Sequence, residues 1–295
     1  MRISSRIVIL LLLFLFILPG CKVRNNVESI DTEILDDEPA SNTGKVRLIF
    51  YNMYLPTEMS RLFEKLGANY TPGMLNSADN FSRYDEDSKI ALNIGLYGVD
   101  LSYCRIFNQK ATTAKYFSTI QILYEKLGIP SNYFYDLIQG LEKYYSNKDS
   151  LAKFASDVYE YADQYLRENE KDAYAALIIT GGWIEALYLA CKIAENNPGD
   201  VEISERIAGQ KYSINSLISL LSNYQEDITI TKYILLLKGL KKSFDKIDIY
   251  YDKENFQLDT INKFISVSDY EINLSPDVLK EINASVSEIR SEIIN

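Results

Sequence analysis

From Lys45 to Asn295, leucine, isoleucine, tyrosine and alanine return every three or four positions, with few prolines between them. That spacing gathers apolar side chains on one side of an α-helix, whereas a strand would alternate them. It predicts helices over 57–66, 87–107, 112–127, 131–146, 149–169, 171–196, 201–222, 226–247, 256–266 and 276–293. About 250 residues of this kind suffice for one large core. The expectation is therefore a single all-α domain over 45–295, with nine or ten helices packed as antiparallel helical hairpins.

Several ends are marked chemically. Gly67 and Gly128 stand where C-caps are wanted, and Asn197-Pro198-Gly199 stops the helix before it. Ser275-Pro276-Asp277 combines a hydroxyl cap, a proline at the first helical position and an acid in the first turn. The helix that follows carries Leu279, Ile282, Val286, Ile289 and Ile293 on one stripe. Val46–Tyr54 has an ambiguous period and reads as a short extended lead-in. Ala68–Glu86 is a long connection for a helical domain, either an ordered structural loop or a functional one.

A different pattern precedes the domain. Arg2 and Arg6 lead into an uninterrupted apolar run, Ile7 to Leu18, which ends in Pro19, Gly20 and Cys21. A bilayer-spanning helix needs about 20 apolar residues, so this shorter run reads as a secretory signal rather than a span. Leu18-Pro19-Gly20-Cys21 resembles the bacterial lipobox, with a branched apolar residue three positions before the cysteine and a small one directly before it. Pro19 departs from that pattern, which usually has Ala, Ser, Thr or Val there. The resemblance implies that residues 1–20 are a signal peptide and that Cys21 receives a diacylglycerol through a thioether, and further acyl groups such as palmitate on its new amino group. Two or more acyl chains hold a protein on a membrane stably, where one binds only marginally. Residues 21–44 continue as a polar, acidic stretch that reads as a disordered tether. A flexible coil of that length reaches roughly 25 to 30 Å. The expected location is the cell envelope, lipid-anchored, at the outer membrane in preference to the inner.

Charge and residue content narrow the function. The chain has 31 basic and 41 acidic side chains, a formal charge of −10, and loss of Arg2 and Arg6 with the signal would make it more acidic. Such a surface repels phosphate backbones, so no nucleic-acid partner is expected. Histidine is absent. That excludes Ser-His-Asp and Cys-His catalysis, HExxH zinc sites and histidine-ligated haem. With Cys21 lipidated only Cys104 and Cys191 remain, too few for a cysteine metal site or a disulfide framework. No cofactor and no metal is expected.

Two helices nonetheless bring acids into apolar surroundings. The helix over 87–107 is apolar on nearly every face, which marks it as central. It carries Gly95, Gly98 and Ser102 on one face, and Asn93, Tyr97, Asp100 and Cys104, at spacings of 4, 3 and 4, on another. The helix over 171–196 repeats the theme with Gly181, Gly182, Trp183 and Glu185. Asn93, Tyr97, Asp100 and Glu185 are thus the candidate polar site. Asp100 and Glu185 form either a carboxylate pair for acid–base work or cation binding, or a structural network satisfied by tyrosines, helix ends or an arginine such as Arg61, Arg83 or Arg105. The two cysteines are expected as buried free thiols. The 23 tyrosines suit either a core boundary or contacts to sugars.

The stretches KIALNIGLYGVDLSYC (Lys89–Cys104) and ALIITGGWIEALYLA (Ala176–Ala190), with LPTEMSRLFEKLGANY and LYEKLGIP, resemble an uncharacterised family of helical lipoproteins of the Bacteroidota. The resemblance runs from about Tyr51 to Asn196 and implies an envelope location and a helical fold; it transfers no catalytic residue. The expected function is a membrane-anchored envelope lipoprotein with a helical binding or scaffolding domain, its partner an envelope protein or small ligand. The alternative is a histidine-free envelope enzyme using Asp100 and Glu185, with a polysaccharide as substrate. The two differ in a visible way: an enzyme needs both carboxylates on the wall of an open cleft, a scaffold seals them inside.

Overall fold

The computed structural model describes residues 41–52, 56–129, 173–251, 256–259, 264–267 and 270–295, with isolated helical positions between 150 and 168. The signal-like run, Cys21, most of the acidic tether and the helix expected over 131–146 lie outside the described residues. Eight α-helices are described from end to end: α1 Asn42–Asn52, α2 Pro56–Lys65, α3 Asp87–Ile106, α4 Lys110–Leu127, α5 Tyr174–Asn196, α6 Val201–Ser222, α7 Ile228–Phe244 and α8 Pro276–Ile294. The fold is an all-α single domain, as the periodicity predicts.

The two helices that are apolar all round form its centre. α3 and α5 pack against each other more extensively than any other pair described. Glycine makes this approach possible. A Cβ on Gly95 would sit 1.8 Å from the Ile178 carbonyl oxygen, and one on Gly181 would sit 1.9 Å from the Leu92 carbonyl oxygen. Backbone therefore lies on backbone, at a helix-propensity cost of up to about 1 kcal/mol per glycine. Gly98, expected on the same face, has open space around its Cβ position and takes no part.

The other helices wrap this pair. α4 lies on α3, while α6 and α8 lie on α5; α7 packs against both α6 and α8, and α1 covers α6. Short links at 107–109 and 223–227 make helical hairpins of α3–α4 and α6–α7. α5 is long and apolar enough to cross a membrane, yet most of it is buried within the domain, as befits a core helix. Its Trp183 is fully buried, and the indole N–H donates to Gln210 Oε1 at 3.1 Å, where Ser213 also donates. At the other end of the chain, Ser275 Oγ accepts from the Val278 amide and starts α8 as its sequence predicts. α4 stops at Gly128, whose φ of 78° is left-handed backbone.

Two expected segments differ. Val46–Asn52 is not extended: α1 begins at Asn42 and buries Val46 and Ile49, three apart, towards α6. The helical domain therefore begins before Lys45. A period too short to read in isolation is resolved by the neighbour it packs on. The helix expected over 256–266 is instead β2 Phe256–Asp259 and β3 Phe264–Val267, an antiparallel pair in the register Phe256↔Val267 and Asp259↔Phe264. β1 Asp248–Tyr251 pairs likewise with β4 Tyr270–Asn273, Ile249 opposite Ile272. The run from Asp248 to Asn273 is rich in Ile, Val, Phe and Tyr, which fit a pleated surface better than a helix. α7 ends at Phe244 rather than at 247, with turns between it and β1.

The connection Ala68–Glu86 is ordered. It makes two 3-10 turns, Pro72–Met74 and Ala78–Arg83, and Ser77 Oγ accepts from the Asp79 amide to cap the second.

Candidate functional site

Asn93, Tyr97, Asp100 and Cys104 do share one face of α3, all four are buried, and that face receives the 68–86 connection. Tyr97 Oη donates to the Ser77 carbonyl at 2.8 Å. Asn93 Oδ1 accepts from Asn76 Nδ2 at 3.3 Å, and Asp100 Oδ2 accepts from the Asn76 backbone amide at 3.1 Å. Cys104 Sγ lies 3.6 Å from Tyr70 Oη. The stripe thus holds an irregular segment at three points, Tyr70, Asn76 and Ser77. Such a segment lacks a ladder of its own, and its buried backbone groups must find side-chain partners.

Asn76 is the hub of this arrangement. Its carbonyl accepts from Tyr116 Oη of α4 at 2.7 Å, its Nδ2 also donates to Tyr84 Oη at 2.9 Å, and its Oδ1 accepts from Asn80 Nδ2 at 2.7 Å. Asn93 Nδ2 reaches across to the Ile293 carbonyl at 3.0 Å and so caps the end of α8. Burial comes first among the causes that push the Tyr97 and Tyr116 hydroxyls up, so both stay protonated donors.

Glu185 enters from α5. Its partner is none of Arg61, Arg83 or Arg105: the first two are exposed and the third only half-buried. Arg290 of α8 takes that place. Its Nε donates to Glu185 Oε2 at 2.5 Å and its Nη2 to Oε1 at 2.9 Å, a two-pronged, charge-assisted contact. Nη2 also donates to the Met74 carbonyl at 3.1 Å, and the guanidinium lies over the Tyr188 ring, 4.1 Å from its centre. The arginine stands among Val286, Ile289 and Ile293 on the apolar stripe of α8, and a charge on such a stripe is the signal by which it was findable. Asn76, Tyr84 and Tyr116 had no comparable mark.

Asp100 and Glu185 are brought together, and both are 0 % exposed. Burial, and then the neighbouring charge of Glu185, raises Asp100 well above the ordinary carboxyl range, with Arg290 acting against the shift. Burial raises Glu185 too, while its bond to Arg290 opposes it. Asp100 Oδ1 has no hydrogen-bond donor beside it. The carboxyls face a guanidinium, an amide and each other, with no exposed surface through which either could meet a substrate. Among the described residues no group of three or more Cys, Asp or Glu side chains is placed to hold a metal ion.

Comparison with protein families, with curated proteins and with solved structures finds no match for this chain.

Proposed function

We propose that this chain is a lipid-anchored protein of the cell envelope, at the outer membrane, whose helical domain binds or scaffolds an envelope partner instead of catalysing a reaction. The observation that carries the reading is the placement of Cys21 three positions after Leu18, the end of the Ile7–Leu18 run, with Gly20 before it and a polar, acidic stretch behind. Acyl chains on that cysteine would hold the protein on the membrane, and the stretch up to the start of α1 would hold the domain off its surface. The resemblance to helical lipoproteins of the Bacteroidota points the same way.

The sealed acids support binding over catalysis. An acid–base pair must be within hydrogen-bond reach of the proton it moves, and Asp100 and Glu185 have no surface open to a ligand. They serve to fix the 68–86 segment and α8 on the central pair. The outer faces of the helices are then what a partner meets. Palmitate labelling of cells making the full chain tests the anchor: label and membrane fractionation are expected to be lost together in Cys21→Ala. Labelling that persists unchanged in the variant refutes the reading.

A further inference from the structure

We infer that Asp100 carries a proton at neutral pH and donates it to Glu185, so that Asp100, Glu185 and Arg290 form a buried, pH-sensitive lock between α3, α5 and α8. The argument is one of hydrogen-bond inventory. Both Glu185 oxygens already accept from the Arg290 guanidinium. Asp100 Oδ2 accepts from the Asn76 amide, and Oδ1 faces no donor. An ionised carboxylate is acceptor-only. Two ionised carboxylates would leave that buried Oδ1 unsatisfied beside the Glu185 carboxylate, with one guanidinium to balance two charges. A proton on Asp100 Oδ1 removes both difficulties, because it supplies a donor towards Glu185 and leaves one negative charge against one positive. Glu185 is the poorer seat for the proton, since its oxygens are the ones the guanidinium holds.

The groups facing Asp100 agree. Tyr97 and Cys104 come from its own helix, Tyr116 from α4, Glu185 from α5 and Arg290 from α8. Of these the guanidinium alone is cationic, and it is committed to Glu185. In the unfolded chain an aspartate ionises at about 3.9, while burial keeps the folded Asp100 protonated to higher pH. The folded state then binds more protons than the unfolded one between those two values, so stability falls with rising pH across that interval. The contribution is complete below the unfolded value and is lost as the pH climbs through the folded one.

Two measurements on the full chain in detergent test this. Carbon-13 spectra of protein labelled at the aspartate and glutamate carboxyl carbons are expected to show one protonated aspartate at pH 7, missing from Asp100→Asn. Asparagine imitates the protonated acid, its Nδ2 in the donor's place and its oxygen accepting from Asn76, but does not titrate. The urea midpoint of the natural chain is therefore expected to fall relative to that of Asp100→Asn as the pH is raised from 5 to 8. A full set of ionised aspartates at pH 7, a protonated glutamate instead, or a difference in midpoint that ignores pH would overturn the inference. Should Asp100→Asn fail to fold, the spectrum of the natural chain decides by itself.

Discussion

Arg290 and Glu185 are 105 positions apart in the chain and meet through two hydrogen bonds in the interior, joining α8 to α5. Breaking a buried pair from one side leaves a charge without its counter-charge, typically at a cost of about 3 to 5 kcal/mol, whereas replacing both partners by apolar groups is far cheaper. Arg290→Met also strips the Met74 carbonyl of its donor. Urea unfolding of Arg290→Met, Glu185→Leu and the double variant should show two large single losses and a double loss well short of their sum. Single losses under about 1 kcal/mol would mean that the pair is dispensable.

Asp100 meets its neighbours through an amide and a carboxyl, and the guanidinium is engaged elsewhere. Asp100→Ala should strand the Asn76 amide and cost about 1 to 3 kcal/mol. Asp100→Asn, which retains an acceptor for that amide, should cost clearly less near neutral pH. Equal losses in equilibrium unfolding would show that the negative charge itself is needed there.

The glycines make a sharper contrast. Gly95→Ala and Gly181→Ala each push a methyl into a facing carbonyl, so helices α3 and α5 must separate. Overpacking of this kind costs about 1 to 3 kcal/mol or more. Gly98→Ala meets open space and should be neutral or stabilising by up to about 1 kcal/mol, from helix propensity alone. Thermal melts of the three variants would reject the contact if all behaved alike.

Asn76→Ala removes the side-chain bonds to Tyr84, Asn93 and Asn80 together. The 3-10 turns on either side then lose their common anchor. Limited trypsin digestion should cut after the exposed Arg83 several times faster than in the parent, while far-ultraviolet circular dichroism keeps its helical form. Unchanged cleavage would show that the segment is held by other means.

Cys104 and Cys191 are free and buried. Burial pushes the Cys191 thiol up to about 12 and raises that of Cys104, so neither is a thiolate at pH 8. Iodoacetamide at that pH should leave both unmodified over an hour in the folded protein and label both in urea. Rapid labelling of the native form would contradict the packing of α3 or α5.

Periodicity alone places α2 to α8 to within about three residues at each end, because a helix repeats its own spacing and its ends carry their own caps. The same local reading puts Asn93, Tyr97, Asp100 and Cys104 on one face and marks α3 and α5 as the central helices. It fails over Val46–Asn52 and 256–266, where short runs suit either helix or strand and the choice falls to whatever packs alongside. It marks Arg290 as a charge on an apolar stripe, but it could not pair Arg290 with Glu185 or Asn76 with Asp100, because each pairing joins separate elements that meet only in the folded domain. What decides those partners is burial. Once α3, α5 and α8 close on one another, every polar group between them loses its water, and the arrangement that survives is the one in which each finds a donor, an acceptor or a proton.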